Sequence, residues 1–245
     1  MSNAGMKGEM KAVILAGGKG TRLAPYTTVF PKPLMPVDGM PILEVIVRQL
    51  AHFRIRGIVF TVSNQSESLL SAYFGDGSRY GVNICYCREV NPLGTAGPLA
   101  LLRDLPETFL VMNGDILTTL NYPRLVRFHR AKKGVLTIAM SQKKIPLELG
   151  VMEHNSHSRL TRYFEKPVLT YPVSMGIYVF QKRILRWIPA GKYLDFPGLV
   201  DKLLRQGERV NCYPSNDFWL DIGRHEDYET AQKKFQELRK KILYE

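Results

Sequence analysis

The sequence predicts an α/β fold, a mostly parallel sheet flanked by helices with a smaller β-rich portion following it. Three observations carry this. Lys11-Ala12-Val13-Ile14-Leu15 is an unbroken apolar run that feeds directly into glycines, the pattern of a buried parallel strand opening into a loop. Strand-like and helix-like periods then alternate as far as about residue 145, as crossover connections between parallel strands require. Past that point the alternation stops and paired β segments take over.

In order, residues 42–53 repeat apolar side chains at helical spacing, 58–62 read as a second strand and 67–74 as a short helix. A third strand is expected over 83–88, a helix over 95–105, a fourth strand over 109–112, a helix over 122–133 and a strand over 135–140. Residues 150–154 and 160–164 form a hairpin about Asn155–Ser158 with no helix between them. A strand over 174–180, helices over 182–188 and 197–206, a strand over 210–213 and a closing basic helix over 224–242 complete the chain. The expectation is one domain over 10–245, with the change of rhythm dividing it into a 10–144 half and a 145–245 half. Residues 1–9 read as a leader or appended remnant.

The 245 residues are 45% hydrophobic and 23% charged, which excludes collagen, coiled coil and wholesale disorder. No apolar run approaches the roughly 18 to 20 residues of a membrane span, and no basic segment precedes an apolar one at the N-terminus, so a cytoplasmic protein is expected. The net charge of +12 suits nucleic acid, acidic lipid or phosphorylated metabolites equally. The basic residues are dispersed, however, with no zinc finger or aromatic RNA motif, so no nucleic-acid or membrane partner is expected. Cys85, Cys87 and Cys212 are too few for a disulfide framework or a four-ligand zinc site and read as small apolar strand residues. His52, His129, His154, His157 and His225 show neither metal spacing nor a nucleophile partner and read as surface or capping residues.

The densest chemical signal is Leu15-Ala16-Gly17-Gly18-Lys19-Gly20-Thr21-Arg22-Leu23, followed by Pro25, Thr27 and Pro31-Lys32-Pro33-Leu34. Glycines after a buried strand let backbone N–H groups approach phosphates without a Cβ in the way. Walker A fails because Gly20 separates Lys19 from Thr21, and the dinucleotide fingerprint fails because Leu23 stands where a small residue is needed. Arg22 can grip a phosphate with a planar fork, and Lys32 supplies a compact charge from a proline-stiffened segment. Asp115 follows the fourth strand at the carboxyl edge of the sheet, where ligands of open α/β folds bind. Asp221 follows the apolar run Phe218-Trp219-Leu220 and can face Asp115 across the cleft. Two carboxylates with phosphate oxygens and waters suit Mg2+, which keeps water and takes few protein ligands; the alternative roles are a turn or helix N-cap for Asp115 and a cap on the helix starting near Arg224 for Asp221.

The run from Gly17 to Leu34 resembles the signature of sugar-1-phosphate nucleotidylyltransferases, the nucleoside-diphosphate-sugar pyrophosphorylases. The likeness continues at Leu93-Gly94-Thr95-Ala96-Gly97, Asn113-Gly114-Asp115, Glu165-Lys166-Pro167, Gly176-Ile177-Tyr178 and Trp219-Leu220-Asp221-Ile222-Gly223. It implies a Rossmann-like sheet of nucleotide-diphospho-sugar transferase type and an enzyme that joins a nucleoside triphosphate to a sugar 1-phosphate, releasing pyrophosphate with Mg2+. The resemblance makes Leu15, Ala16, Gly17, Gly18, Gly20, Thr21, Arg22, Lys32, Gly94, Thr95, Asn113 and Gly114 nucleotide-binding. It makes Gly150, Glu165, Lys166 and Ser174 sugar-phosphate-binding, Asp115 and Asp221 metal ligands, and Arg22, Lys32 and Lys166 catalytic, and it implies that 10–144 is mainly the nucleotide-binding half and 145–245 mainly the sugar-phosphate-binding half. Pro167 is expected to hold the chain extended at Lys166. No Ser, Cys or His nucleophile is required, because the attacking oxygen already belongs to a phosphate anion.

Gly94-Thr95-Ala96-Gly97-Pro98-Leu99 resembles the guanylyltransferase branch acting on mannose 1-phosphate. Gly97 stands where thymidylyl and uridylyl branches carry glutamine, which is expected to leave room beside the base for a purine. GTP with a mannose-type sugar 1-phosphate is therefore the reading, with dTTP- or UTP-dependent transfer to glucose 1-phosphate as the alternative. A non-catalytic nucleotide-sugar-binding regulator is the alternative from another class, and assembly into a homo-oligomer stays open. The chain ends without the hexapeptide-repeat domain of longer relatives, and a catalytic core alone is expected.

Overall fold

A computed structural model describes residues 10–18 and 20–245; residues 1–9, read above as a leader, and Lys19 of the glycine loop lie outside the described residues. The strands are β1 (Lys11–Leu15), β2 (Pro36–Val37), β3 (Met40–Pro41), β4 (Gly57–Ser63), β5 (Asn83–Glu89), β6 (Thr108–Asn113), β7 (Ile116–Thr118), β8 (Leu136–Pro146), β9 (Val151–His154), β10 (Leu160–Phe164), β11 (Val168–Gln181), β12 (Val210–Pro214) and β13 (Trp219–Asp221). The helices are α1 (Ile42–His52), α2 (Asn64–Phe74), α3 (Tyr122–Lys132), α4 (Phe196–Arg205) and α5 (His225–Leu243). A 7-stranded sheet runs in the order β12-β8-β11-β6-β1-β4-β5, parallel except where β11 enters antiparallel between β8 and β6. A β8-to-β11 reversal through the β9–β10 hairpin needs no crossover helix, so the rhythm of the sequence breaks there.

The central strands are apolar on both faces because helices cover both. Ile14, Phe60 and Met112 pack toward α1, α2 and α3, while Val13, Phe109, Val111 and Phe180 pack toward α4. Helix α1 buries Leu43, Ile46, Val47 and Leu50 in the first of these cores and Ile42 and Val45 in a third beneath α5, each side chain contributing about 1.5–3 kcal/mol over exposure. Helix starts are fixed by side chains that take up otherwise unpaired N–H groups. Ser63 and Ser66 form a capping box on α2, Asn121 accepts from the Arg124 N–H on α3, and Asp195 accepts from the Gly198 N–H on α4.

Four sequence expectations need correction. Residues 95–105 form only a short 3-10 turn, Gly97–Leu101, because Gly94, Gly97 and Pro98 leave no propagating helical segment. Residues 182–188 likewise form a 3-10 helix, Lys182–Trp187. Strands β8 and β11 run well past 140 and begin well before 174, and from Ser141 to Pro146 they leave the sheet as a two-stranded ribbon. His129 is no surface residue. It is 0% exposed, linked to Thr137 through Nδ1 and to Gln181 through Nε2, and burial drives its pKa down to about 4.

Candidate active site

The carboxyl ends of β1, β4, β5 and β6 open on a cavity of about 660 Å³ lined by Leu15, Gly17, Gly18, Thr61, Ser63–Gln65, Glu89, Gly94, Thr95, Asn113, Asp115 and, from a distant loop, Tyr193. Parallel strands end together at this edge, and chain reversals there leave backbone donors and side chains free for ligand. Ala16 N–H donates to the Thr61 carbonyl (2.9 Å) and Gly114 N–H to the Leu15 carbonyl (3.0 Å), tying the loops after β1, β4 and β6 into one rim. Gly17 lies against Glu89, whose carboxyl burial holds above its usual pKa although the Leu93 N–H it accepts opposes the shift.

After the glycine loop the chain makes three 3-10 turns, Thr21–Leu23, Tyr26–Thr28 and Lys32–Leu34, with Pro25 and Pro31 between them. Thr27 Oγ1 donates to the Gly20 carbonyl at 2.7 Å and folds the turns together. Lys32 is thereby brought inside the molecule at 8% exposure, and its Nζ donates to Asp115 Oδ2. A buried lysine needs such a partner, since desolvating an unpaired ammonium is severely unfavourable.

Asp115 and Asp221 do come together, though by a different route from the one expected. They do not face each other across a cleft: short strands β7 and β13 pair antiparallel, Asp221 opposite Ile116, and the Ile222 N–H donates to the Asp115 carbonyl at 3.1 Å. Burial raises the Asp221 carboxyl above the usual range and Asp115 adds to the shift, while Lys32 and Arg22 oppose it. The guanidinium of Arg22 lies over Gly223, close to this pair. Neither aspartate caps α5; Asp227 does, accepting from the Gly223 and Arg224 N–H groups. Among the described residues Asp115 Oδ1 is buried and without a hydrogen-bond partner, a lone pair left open beside a second carboxylate. That donor set fits a hard divalent cation such as Mg2+, completed by phosphate oxygens and water. Among the described residues no group of three or more His, Cys, Asp and Glu forms an all-protein cage.

Ser174 Oγ donates to the Tyr178 hydroxyl oxygen at 3.4 Å, and between these two residues strand β11 carries a bulge. At its apex Gly176 has φ +69° and leaves space taken by the Asn113 amide, while its N–H donates to Ser174 Oγ at 3.2 Å. Gly150 and Glu165 are brought together on the exposed ribbon. Tyr163 packs its ring directly on Gly150 and its O–H donates to Glu165 at 2.9 Å. Lys166 takes φ +43°, so Pro167 does not keep it extended; the chain turns sharply there instead. Of the residues expected to hold the nucleotide, Leu15, Gly17, Gly18, Gly94, Thr95 and Asn113 line the 660 Å³ cavity while Ala16, Gly20, Thr21, Arg22, Lys32 and Gly114 do not; none of Gly150, Glu165, Lys166 and Ser174 lines it.

Reasoning from sequence misses Glu89, Tyr163 and Tyr193. Glu89 is legible in principle, because it ends a parallel strand at the same edge as Asp115. Tyr193 carries no local signal, since its loop reaches the cavity by docking on a segment about a hundred residues earlier.

Residues 11–237 match the family model described as nucleotidyl transferase. The chain belongs to that family. It is 34% identical over 241 residues to a UTP–glucose-1-phosphate uridylyltransferase of Synechocystis sp., covering 89% of this chain and 61% of that protein. It is also 34% identical over 234 residues to a mannose-1-phosphate guanyltransferase of Schizosaccharomyces pombe, covering 91% and 63%. The chain thus spans somewhat over three-fifths of the length of these relatives. In structure it resembles HddC of Yersinia pseudotuberculosis complexed with GMP-PN, with a TM-score of 0.73, 24% identity, and coverage of 92% of this chain and 99% of that one.

Proposed function

We propose that the protein transfers a nucleotidyl group from a nucleoside triphosphate, GTP first, to a mannose-type sugar 1-phosphate. The observation that carries the reaction class is the cluster of Lys32, Arg22, Asp115 and Asp221 at the mouth of a cavity floored by the glycine loop. An oxygen of the sugar 1-phosphate attacks the α-phosphorus of the triphosphate; that P–O bond forms as the bond to the bridging oxygen breaks, and pyrophosphate departs with the electron pair. Backbone N–H groups of Gly17 and Gly18 orient the triphosphate, and Arg22 and Lys32 offset the charge that two approaching phosphates bring together. Glu165 accepts from sugar hydroxyls and Lys166 holds the acceptor phosphate. Asp115 and Asp221 would hold Mg2+, which when bound neutralises phosphate charge.

GTP and a mannose-type acceptor are supported by the guanyltransferase relative and by the likeness of Leu93–Leu99 to the guanylyl branch. The uridylyltransferase at equal identity favours a second reading, UTP with glucose 1-phosphate. A matrix of GTP, UTP and dTTP against mannose 1-phosphate and glucose 1-phosphate, read by pyrophosphate release with Mg2+, tests both. GTP with mannose 1-phosphate is expected to give the highest kcat/KM; release with no pair at all would overturn the transfer reading.

A further inference from the structure

We infer that Tyr193 is the face on which the nucleotide base stacks, and that the Gly94–Gly97 segment serves base binding by docking the loop that carries Tyr193. This rests on the nucleotidyl-transfer reading and deepens it at the base.

Gly97 does not leave the room for a purine that the sequence leads one to expect. Its side-chain direction is filled: a Cβ there would come within 2.9 Å of the Lys192 carbonyl oxygen and 3.4 Å of the Leu194 nitrogen. Gly97 is buried and does not line the cavity. Gly94, at φ +80°, is hemmed in the same way, with its Cβ position 2.6 Å from the Leu194 carbonyl oxygen. The space these glycines provide is therefore occupied by protein.

What occupies it is the loop over residues 189–195. Leu194 N–H donates to the Leu93 carbonyl at 2.9 Å, and the Ala96 and Gly97 N–H groups both donate to the Leu194 carbonyl at 2.9 Å. Phe196 N–H donates to Thr95 Oγ1 at 2.7 Å, and Asp195 caps α4 immediately before it. Four hydrogen bonds and a helix start thus fix the backbone next to residue 193. Tyr193 itself is 67% exposed and lines the 660 Å³ cavity. Val90, 78% exposed, and Pro92 line the same cavity. Large apolar side chains collected in one concave site on a rigid backbone present surface for a flat, apolar-faced ligand.

That ligand is the base and not the sugar. The cavity's charged end is Asp115 with the glycine loop, where the phosphates belong, and none of Gly150, Glu165, Lys166 and Ser174 lines it. Every base has a π face, so stacking on Tyr193 adds affinity without choosing the base. Choice falls to polar groups at the cavity edge, Asn64, Gln65 and Glu89.

Direct binding tests this, with GTP, UTP and inorganic tripolyphosphate as probes in the presence of Mg2+. Removing the ring in Tyr193→Ala should weaken whichever nucleotide the wild type binds by roughly 5- to 150-fold, the range of base–aromatic stacking, and leave tripolyphosphate within about twofold. Tyr193→Phe should bind like the wild type. Gly97→Ala, which pushes the loop away, should weaken both nucleotides together without shifting their ratio. Unchanged nucleotide binding in Tyr193→Ala, equal loss for tripolyphosphate, or a rise confined to KM for the sugar 1-phosphate would overturn the inference while the transfer reading stands. A Gly97→Ala ratio moved toward one base would overturn the docking role. A wild type that binds none of GTP, UTP and, as a further probe, dTTP would take the transfer reading down as well.

Discussion

The two sides that the proposed function gives the site, one for the nucleotide and one for the acceptor, are built in opposite ways. On the nucleotide side Lys32, Gly114 and Asp115 hang from buried parallel strands and proline-braced turns, and each is pinned by a named hydrogen bond. On the acceptor side Gly150, Tyr163, Glu165 and Lys166 ride a ribbon that has left the sheet, where nearly every side chain is open to solvent. A buried, preorganised charge cluster is expensive to assemble but need not reorganise as charge shifts between phosphates, whereas an exposed ribbon can admit different sugars at little structural cost. Substitutions on the first side should therefore be read in turnover, and those on the second in acceptor KM.

The largest effect should come from Asp115→Asn and Asp221→Asn, which remove charge from the reaction centre. Each is expected to lower kcat by roughly 10² or more, Asp221→Asn while melting like the wild type and Asp115→Asn with a lowered thermal midpoint, because Lys32 then loses the carboxylate its burial requires. Full Mg2+-dependent pyrophosphate release in either would break the nucleotide side of the comparison. Arg22→Lys should lower kcat/KM for the triphosphate by about tenfold, since a point charge cannot reproduce the paired contacts of a guanidinium. Wild-type kinetics there would make Arg22 a bystander.

A smaller and purely structural effect lies away from both sides, at His129. With Gln181 Nε2 donating to Nε2, the hydrogen-bond network assigns the proton to Nδ1, which donates to Thr137. The folded pKa of about 4 lies below the ordinary 6.5, so the neutral ring's contribution is complete above pH 6.5 and is lost as pH falls toward 4. The loss is on the order of 3 kcal/mol across that window. His129→Gln should flatten the fall in thermal midpoint between pH 6.5 and 4.5; an unchanged slope would show that other groups govern acid stability.

What is legible in the sequence follows the same division. Buried parallel strands and the turns at their ends leave strong local patterns, so β1, β4, β6, the glycine loop and Asp115 can be placed from the order of residues alone. Asp221 is marked by its apolar neighbours, but its partner strand β7 is three residues long and carries no period to detect. Gly97 misleads because its meaning depends on Lys192 and Leu194, which local sequence cannot bring beside it. The ribbon is partly legible, as a hairpin, while its continuity with β8 and β11 is not, because exposed strands lose the alternation that marks a half-buried face.

The most direct test of this division is the steady-state kinetics of Glu165→Gln, with each substrate varied in turn. The substitution keeps the shape that Tyr163 holds and removes only the charge. KM for the sugar 1-phosphate should rise about tenfold or more, as for a lost hydrogen bond to a charged group, with KM for the triphosphate within about twofold of the wild type. An equal rise in both, or a rise for the triphosphate alone, would contradict the separation of the two sides.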